Sequence, residues 1–497
     1  MDLLLLGLET ILNPVVLLWI MFGVTVGVIF GALPGVSATM SIALCISFTY
    51  TMDPVVAIAF LAAVYCAAIT GGSITAILFK IPGTPSSAAT TLDGYPMVLR
   101  GEAGKALSVS LICSGLGGLF AAIVMFIFTQ PLMKAALNFG SPEMFAVCFL
   151  GLSILIFIDT EHKINTFASA LIGMWVGTVG MDYFSSVPRF TFGSGLLLNG
   201  IEDLPFMLGM FAAVEVFSEI NKPSDKSEYE SENAADISKL ASIKEMWELK
   251  WTILRSGAIG TVVGILPGAG ASIASWLSYS TEYKFSKDPD YLGKGDPHGV
   301  AASETANNAA TGGAMVPLLA MGIPGSNAAA MMMAALAIHG VQMGPMLLQA
   351  QPQYLSATFL SMAFANVFMI FISLIIAKVF TQILKVPYYV LGPFILVLAL
   401  TGTYSFQGSI ADVFIMIGAG IFGYFFKKYG FNAAALILGL VLGPMTEKFF
   451  RRGMSLNDNN IISFFSSPVV LVIFAIFFIM YGTYFYGEFK KKKQASE

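Results

Sequence analysis

Charge is scarce in this 497-residue chain. Asp, Glu, Lys and Arg make up 11% of it and hydrophobic residues 56%, whereas soluble domains carry about 25% charged residues. That deficit excludes a separate soluble catalytic domain. A basic surplus is missing too: the formal net charge is −4, which leaves no electrostatic footprint for nucleic acid. Only four cysteines occur, Cys45, Cys66, Cys113 and Cys148, each alone in an apolar stretch. Without a CxxC or Cys/His pairing they read as buried apolar residues, not metal or redox groups. The start, Met1-Asp2-Leu3, lacks the positive n-region of a cleaved signal peptide. Leu3 to Leu12 is therefore expected to remain as an interfacial helix before the first span.

What the chain has in excess is apolar length. A membrane-spanning helix needs about 20 mostly apolar residues. Segments near that length begin at Pro14, Asp53, Ala106, Met144, Thr166, Phe206, Ser256, Tyr354, Val390, Ile410, Phe431 and Pro468. The expected fold is an all-α polytopic membrane protein with about 10–12 membrane segments. The long polar stretch, Ser218 to Lys250, reads as a cytoplasmic linker ending in a short amphipathic helix, Ile243 to Trp251.

The chain repeats itself on either side of that linker. Gly27-x3-Gly31-Ala32-Leu33-Pro34-Gly35 returns as Gly260-x3-Gly264-Ile265-Leu266-Pro267-Gly268. Thr70-Gly71-Gly72 followed by Ile81-Pro82-Gly83-Thr84 returns as Thr311-Gly312-Gly313 followed by Ile323-Pro324-Gly325-Ser326. The organisation expected is a first membrane repeat over 1–217, the linker over 218–250, a second repeat over 251–465, and an extra helix with a basic tail over 466–497.

Lys and Arg favour cytoplasmic loops. With the linker and the Lys490–Lys493 tail inside, the loop around Arg100 and Lys105 falls inside. Its uncharged counterpart, Gly344 to Gln353, falls outside. Lys163 falls inside and the matching turn, Gly402 to Gly408, outside. Lys427 and Lys428 fall inside, opposite a loop holding Arg189. This pattern predicts inverted repeats, with Lys448, Arg451 and Arg452 against the rule.

Pro and Gly break helices, and broken backbone at membrane depth is tolerated only inside protein or along a water-filled cavity. Breaks recurring in both halves point to a midplane site. The four blocks are 31–39, 81–88, 264–272 and 322–327. In each, Ser, Thr or Asn follows the break and can cap the next half-helix, whose free N–H groups and positive dipole end suit a carboxylate. The expected substrate-binding residues are Ser37, Thr39, Gly83, Thr84, Ser86, Ser87, Gly268, Gly270, Ser272, Gly325, Ser326 and Asn327. Gly35, Glu304, Asn307, Asn308 and Thr311 are expected to hold a coupling ion, Na⁺ or H⁺, or to support it, since ionisable and amide groups at membrane depth are functional by default. Lys80 is a candidate partner for a substrate carboxylate or, equally, a lysine reaching the surface. Asp93, in Leu92-Asp93-Gly94-Tyr95-Pro96, reads as a turn or cap, and His339 as a helix-end cap. Met331 to Met333 reads as packing. No catalytic residue, cofactor or fixed metal is expected.

The strings Gly71-Gly-Ser-Ile-Thr-Ala-Ile-Leu78, 81–96, Leu266-Pro-Gly-Ala-Gly-Ala-Ser-Ile-Ala-Ser275 and 299–313 resemble those of the large membrane subunit of the tripartite tricarboxylate transporters. The likeness covers nearly the whole chain except the linker and the last helix. It implies a multi-pass subunit of the bacterial inner membrane, importing a carboxylate such as citrate on a cation gradient. It also implies two partners, a small membrane subunit and a periplasmic solute-binding protein. Thr84-Pro85 has no mate in Ser326-Asn327, so the two half-helices differ. Two rivals are weaker. The membrane domain of an ATP-driven importer also fits a chain without GxxxxGK[ST]. An intramembrane aspartyl protease would use a GxGD, and Gly293-Lys-Gly-Asp296 spells one, but in a polar run.

Overall fold

A computed structural model describes residues 2–33, 36–80, 82–158, 163–220, 239–268, 270–286, 288–383, 388–479 and 481–482. Gly35, most of the linker (221–238) and the Lys490–Lys493 tail lie outside them. The described chain is helical apart from one two-residue hairpin, Gly180–Met181 with Pro188–Arg189.

In the first repeat the helices are α1 Asp2–Ile11, α2 Pro14–Ala32, α3 Ala38–Thr49, α4 Pro54–Phe79, α5 Thr91–Leu99, α6 Ala103–Ala136, α7 Ser141–Ile158 and α8 Lys163–Val176. The hairpin follows, then α9 Asp203–Leu208, a π turn and α10 Val214–Ile220. The second repeat has α11 Ile243–Glu248, α12 Lys250–Ile265, α13 Gly270–Phe285, α14 Pro297–Met321, α15 Asn327–Ile338, α16 Leu347–Ala350, α17 Pro352–Ile383, α18 Tyr388–Gln407, α19 Ile410–Lys428 and α20 Ala433–Leu456. α21 Ile461–Phe464 and a helix over 468–479 close the described chain. The interfacial helix expected at the start is α1, packed along α17. The helix expected over Ile243 to Trp251 is interrupted at Leu249, and Lys250 and Trp251 open α12.

Among the described residues six helices are long and apolar enough to cross a membrane: Pro14–Ala32, Pro54–Phe79, Ala103–Ala136, Pro352–Ala377, Ile410–Lys428 and Ala433–Leu456. Six shorter apolar helices accompany them. α14 fails such a test on composition, yet its residues from Gly299 to Ala320 are all buried. Sheathed by α6, α12, α13 and α4, it meets no lipid and needs no apolar surface.

Equivalent helices pack equivalently. α2 lies along α4 and α12 along α14; α14 packs on α6 and α4 on α17. Glycines set the closest approaches, since small residues let helix backbones touch in membranes. A Cβ at Gly27 would come within 2.7 Å of the Val64 carbonyl, and one at Gly264 within 2.5 Å of the Ala310 carbonyl.

Polar contacts hold several turns in place. Arg100 donates to the carbonyls of Lys294 (2.5 Å) and Gly295 (2.6 Å), and Lys105 pairs with Glu245 at 2.6 Å. Asn165 donates to the Gly430 carbonyl at 3.1 Å. Elsewhere His339 Nε2 lies 3.0 Å from Thr49 Oγ1, and Tyr50 donates to the Gly402 carbonyl at 3.3 Å. Asp182, Arg189, Glu447 and Arg451 form one ion cluster.

Candidate functional site

The Pro-Gly breaks are held against helix or break backbone of the same repeat. Gly83 N donates to the Gly72 carbonyl at 3.1 Å, and a Cβ on Gly83 would lie 2.6 Å from the Gly31 carbonyl. In the second repeat Gly268 N donates to the Gly325 carbonyl at 3.0 Å. Gly268 (φ 81°) and Gly270 (φ 62°) take the left-handed conformation, which costs a glycine little.

Half-helices start from these breaks. Ser37 caps α3, accepting from Met40 N at 3.2 Å, and Ser326 caps α15, accepting from Ala329 N at 3.2 Å. α3 and α15 pack together, and α13 packs on the 85–87 turn, so the four breaks form one connected group spanning both repeats. Tyr65 Oη lies 3.2 Å from Ser326 Oγ, and Gly270 faces the Ser326 Cβ. Asn327 Oδ1 is buried with no hydrogen-bond partner. Ser37, Ser272, Ser326 and Asn327 are half-buried.

The first-repeat turn is more closed. Thr39, Thr84, Ser86 and Ser87 are all buried. Thr84 Oγ1 lies 3.0 Å from Ser86 Oγ, and Ser87 Oγ donates to the Thr84 carbonyl at 2.8 Å while accepting from Thr84 N at 3.4 Å. Ser87 is thus fully engaged by its own turn. Lys80, left-handed at φ 59°, ends α4. It is exposed, with its ammonium 5.8 Å from the Tyr95 ring centre.

A second polar cluster sits in the N-terminal half of α14. Glu304 is fully buried; Thr90 donates to its Oε1, and Thr90 Oγ1 also lies 3.1 Å from Ser303 Oγ. Glu304 Oε2, Asn307 Oδ1 and Nδ2, Ser73 Oγ and Thr305 Oγ1 are all buried without a hydrogen-bond partner. Asn308 is engaged differently: its Nδ2 donates to the Ser114 carbonyl (2.9 Å) and to Asn366 Oδ1 (2.6 Å). Thr311 donates to the Asn308 carbonyl at 2.7 Å. The sequence reading missed Asn366, which lies in an apolar helix.

Asp93 corrects the expectation of a turn or cap. It lies in the first turn of α5, buried, and its Oδ1 accepts from Gly293 N (2.9 Å), Gly295 N (2.8 Å) and Asp296 N (2.7 Å). Its Oδ2 accepts from Tyr279 at 2.8 Å. Those amides belong to the GxGD run, whose Asp296 side chain caps α14 by accepting from His298 N at 2.9 Å. A nest of backbone amides and a helix cap account for that string. His339 caps α15, as expected, and Met331 and Met332 are core.

A separate cleft of about 450 Å³ lies among α7, α8 and α20, lined by Phe145, Met174, Trp175, Phe190 and Phe450. Its walls are apolar and none of the four breaks reaches it.

The family model described as the tripartite tricarboxylate transporter TctA family matches residues 17–438. An uncharacterised 52.8 kDa protein of Agrobacterium vitis, from the TAR-I ttuC′ 3′ region, is 35% identical over 471 residues, covering 95% of this chain and 93% of that protein. An uncharacterised protein from the TAR-II ttuC′ 3′ region of the same organism is 36% identical over 210 residues, 42% of this chain and 87% of that protein. No solved structure matches.

Proposed function

The chain belongs to the tripartite tricarboxylate transporter TctA family, and from that premise we propose that it is the permease of a secondary importer for a citrate-like carboxylate. The importer is driven by a Na⁺ or H⁺ gradient in the bacterial inner membrane. The observation that carries this reading is the connected group of four helix breaks. Ser37 and Ser326 cap two half-helices there, and Asn327 keeps a buried oxygen unpartnered. Half-helix N-termini stabilise anionic groups, and Ser, Thr and Asn side chains add neutral donors. The small membrane subunit and the periplasmic binding protein follow from the family and complete the importer.

Inverted repeats are part of the proposal. Turns at equivalent places in the two repeats meet equivalent segments of the other repeat: Arg100's turn meets the loop ahead of α14, and His339's turn meets Thr49 ahead of α4. One of the basic residues that break the loop-charge rule has a local explanation. Arg451 is paired with Asp182 and Glu447, a structural role in the ion cluster that gives it a reason to sit there.

The test is uptake of radiolabelled citrate and related carboxylates into proteoliposomes holding both membrane subunits, with the binding protein outside. Uptake that follows an imposed Na⁺ or H⁺ gradient without ATP supports the proposal. Uptake that requires ATP and a nucleotide-hydrolysing subunit establishes the ATP-driven alternative instead.

A further inference from the structure

Glu304 poses a problem of charge. Its carboxylate is fully buried, and among the described residues no Lys, Arg or His pairs with it. A buried carboxylate stays ionised only beside a compensating charge. One of its oxygens is closed by Thr90 and the other is open. Around the open oxygen stand Asn307, one helical turn further along α14, and Ser73 of α4. Both side chains stand within reach of the carboxylate, and neither has a partner of full hydrogen-bond geometry. Oxygen donors held near one another but not bonded to one another fit a small cation between them.

We propose that Glu304, Asn307 and Ser73 form a site for one monovalent cation, Na⁺ or a proton, and that Thr90 ties its occupancy to the 84–87 turn of the helix-break group. This names the coupling site of the permease proposed above and rests on that reading. A single carboxylate calls for a single positive charge. Among the described residues no group of three or more His, Cys, Asp or Glu gathers to hold a metal ion, so the site suits neither zinc nor calcium. Of the residues expected beside Glu304, Asn308 keeps its Oδ1 unpartnered but has its amide nitrogen committed elsewhere, and Thr311 has its hydroxyl committed. Asn308 joins α14 to α6 and α17, and Thr311 bonds back to its own helix.

The other titratable groups facing this part of α14 are accounted for. Cys113 of α6 stands within electrostatic range of Glu304. Asp93 of α5 is closed by its four bonds, Arg255 of α12 is paired with Glu282 of α13, and Lys105 of α6 with Glu245.

Thr90 lies on the segment between Ser87 and Asp93. It is the point at which the hairpin bearing Thr84, Ser86 and Ser87 touches the carboxylate. A cation that neutralises Glu304 removes the cost of burying it and thereby stabilises the packing of the 84–93 segment against α14. By linkage, cation and carboxylate then raise each other's affinity by the same factor.

The experiment uses the full-length chain in nanodiscs, without partners, and reads thermal stability and equilibrium binding of radiolabelled Na⁺ against K⁺ and choline, across pH. A Na⁺ site gives Na⁺-specific stabilisation that Glu304→Gln abolishes and Asn307→Ala weakens by about tenfold in half-saturating concentration, the loss expected for one ligand. A proton site gives no Na⁺ effect, a pH-dependent stability in the wild type, and none in Glu304→Gln. Thr90→Val leaves cation binding measurable but uncouples it: in the reconstituted importer the half-saturating carboxylate concentration stops falling as cation rises. Thr90→Ser restores that dependence. Glu304→Gln and Asn307→Ala both keeping wild-type Na⁺ and pH responses overturns the site, and intact coupling in Thr90→Val overturns the link. Failure of carboxylate uptake with cation binding intact counts against the proposed function alone.

Discussion

At the scale of residues, the two repeats use their hydroxyls differently. Ser326 caps α15 from a half-buried position, beside the unpartnered Asn327 oxygen. Ser87 is buried and spends both hydrogen-bonding roles on Thr84. Ser326→Ala is therefore expected to raise the half-saturating substrate concentration roughly tenfold to 150-fold, the loss of about 1.5–3 kcal/mol for a hydrogen bond to a charged group. Ser87→Ala is expected to lower thermal stability by about 1 kcal/mol, the worth of a cap, with little change in affinity. Uptake against concentration, normalised to folded protein, separates the two; an unchanged half-saturation in Ser326→Ala would remove it from the site. Hydroxyls after a Pro-Gly break are legible in sequence because the break is local. Asp93 was not: Leu92-Asp93-Gly94-Tyr95-Pro96 has the composition of a turn, while the amides that hold it lie some 200 residues away.

Among elements, α14 is the one composition hides. Its Asn, Thr and Gly content lowers its apolar character below that of a span, yet it is the axis around which α6, α12 and α13 pack. The clue was available in the repeat itself. Thr311-Gly312-Gly313 matches Thr70-Gly71-Gly72, which lies in the evident span α4, so α14 had to be the equivalent helix. Its packing depends on glycine at the contact. Gly264→Val places branched carbons against the Ala310 carbonyl, and overpacking of this kind costs about 1–3 kcal/mol. Gly27→Val should behave alike against Val64. Both variants are expected to melt several degrees lower in detergent, whereas Gly418→Val, where a Cβ meets nothing within 4 Å, should melt as the wild type does. Equal melting of all three would refute glycine-set packing.

For the molecule as a whole, the repeats are fastened to each other by polar contacts at their ends. Asp182, in the hairpin of the first repeat, meets Arg451 at the end of α20 at 2.6 Å, and Arg189 joins Glu447 at 2.9 Å. Bonds from Ser185 and then from Arg451 hold the Asp182 carboxyl well below the usual carboxylate range. Its folded pKa is depressed, so its contribution to stability is present above the unfolded value of about 3.9 and is lost as pH falls below that toward the folded value. Melting temperatures are expected to drop between about pH 4 and 3 in the wild type, and more gently in Asp182→Asn; parallel acid slopes in the two would rule the cluster out as a fastener. The other fastening, Asp93 in its amide nest, has a consequence in time. Gly293, Gly295 and Asp296 leave the ribosome about 200 residues after Asp93, and at about 5–20 residues per second that interval is roughly 10–40 s. Through it the first hairpin carries a carboxylate with no partner, so the first repeat enters the membrane unfinished and is completed only by the arrival of the second.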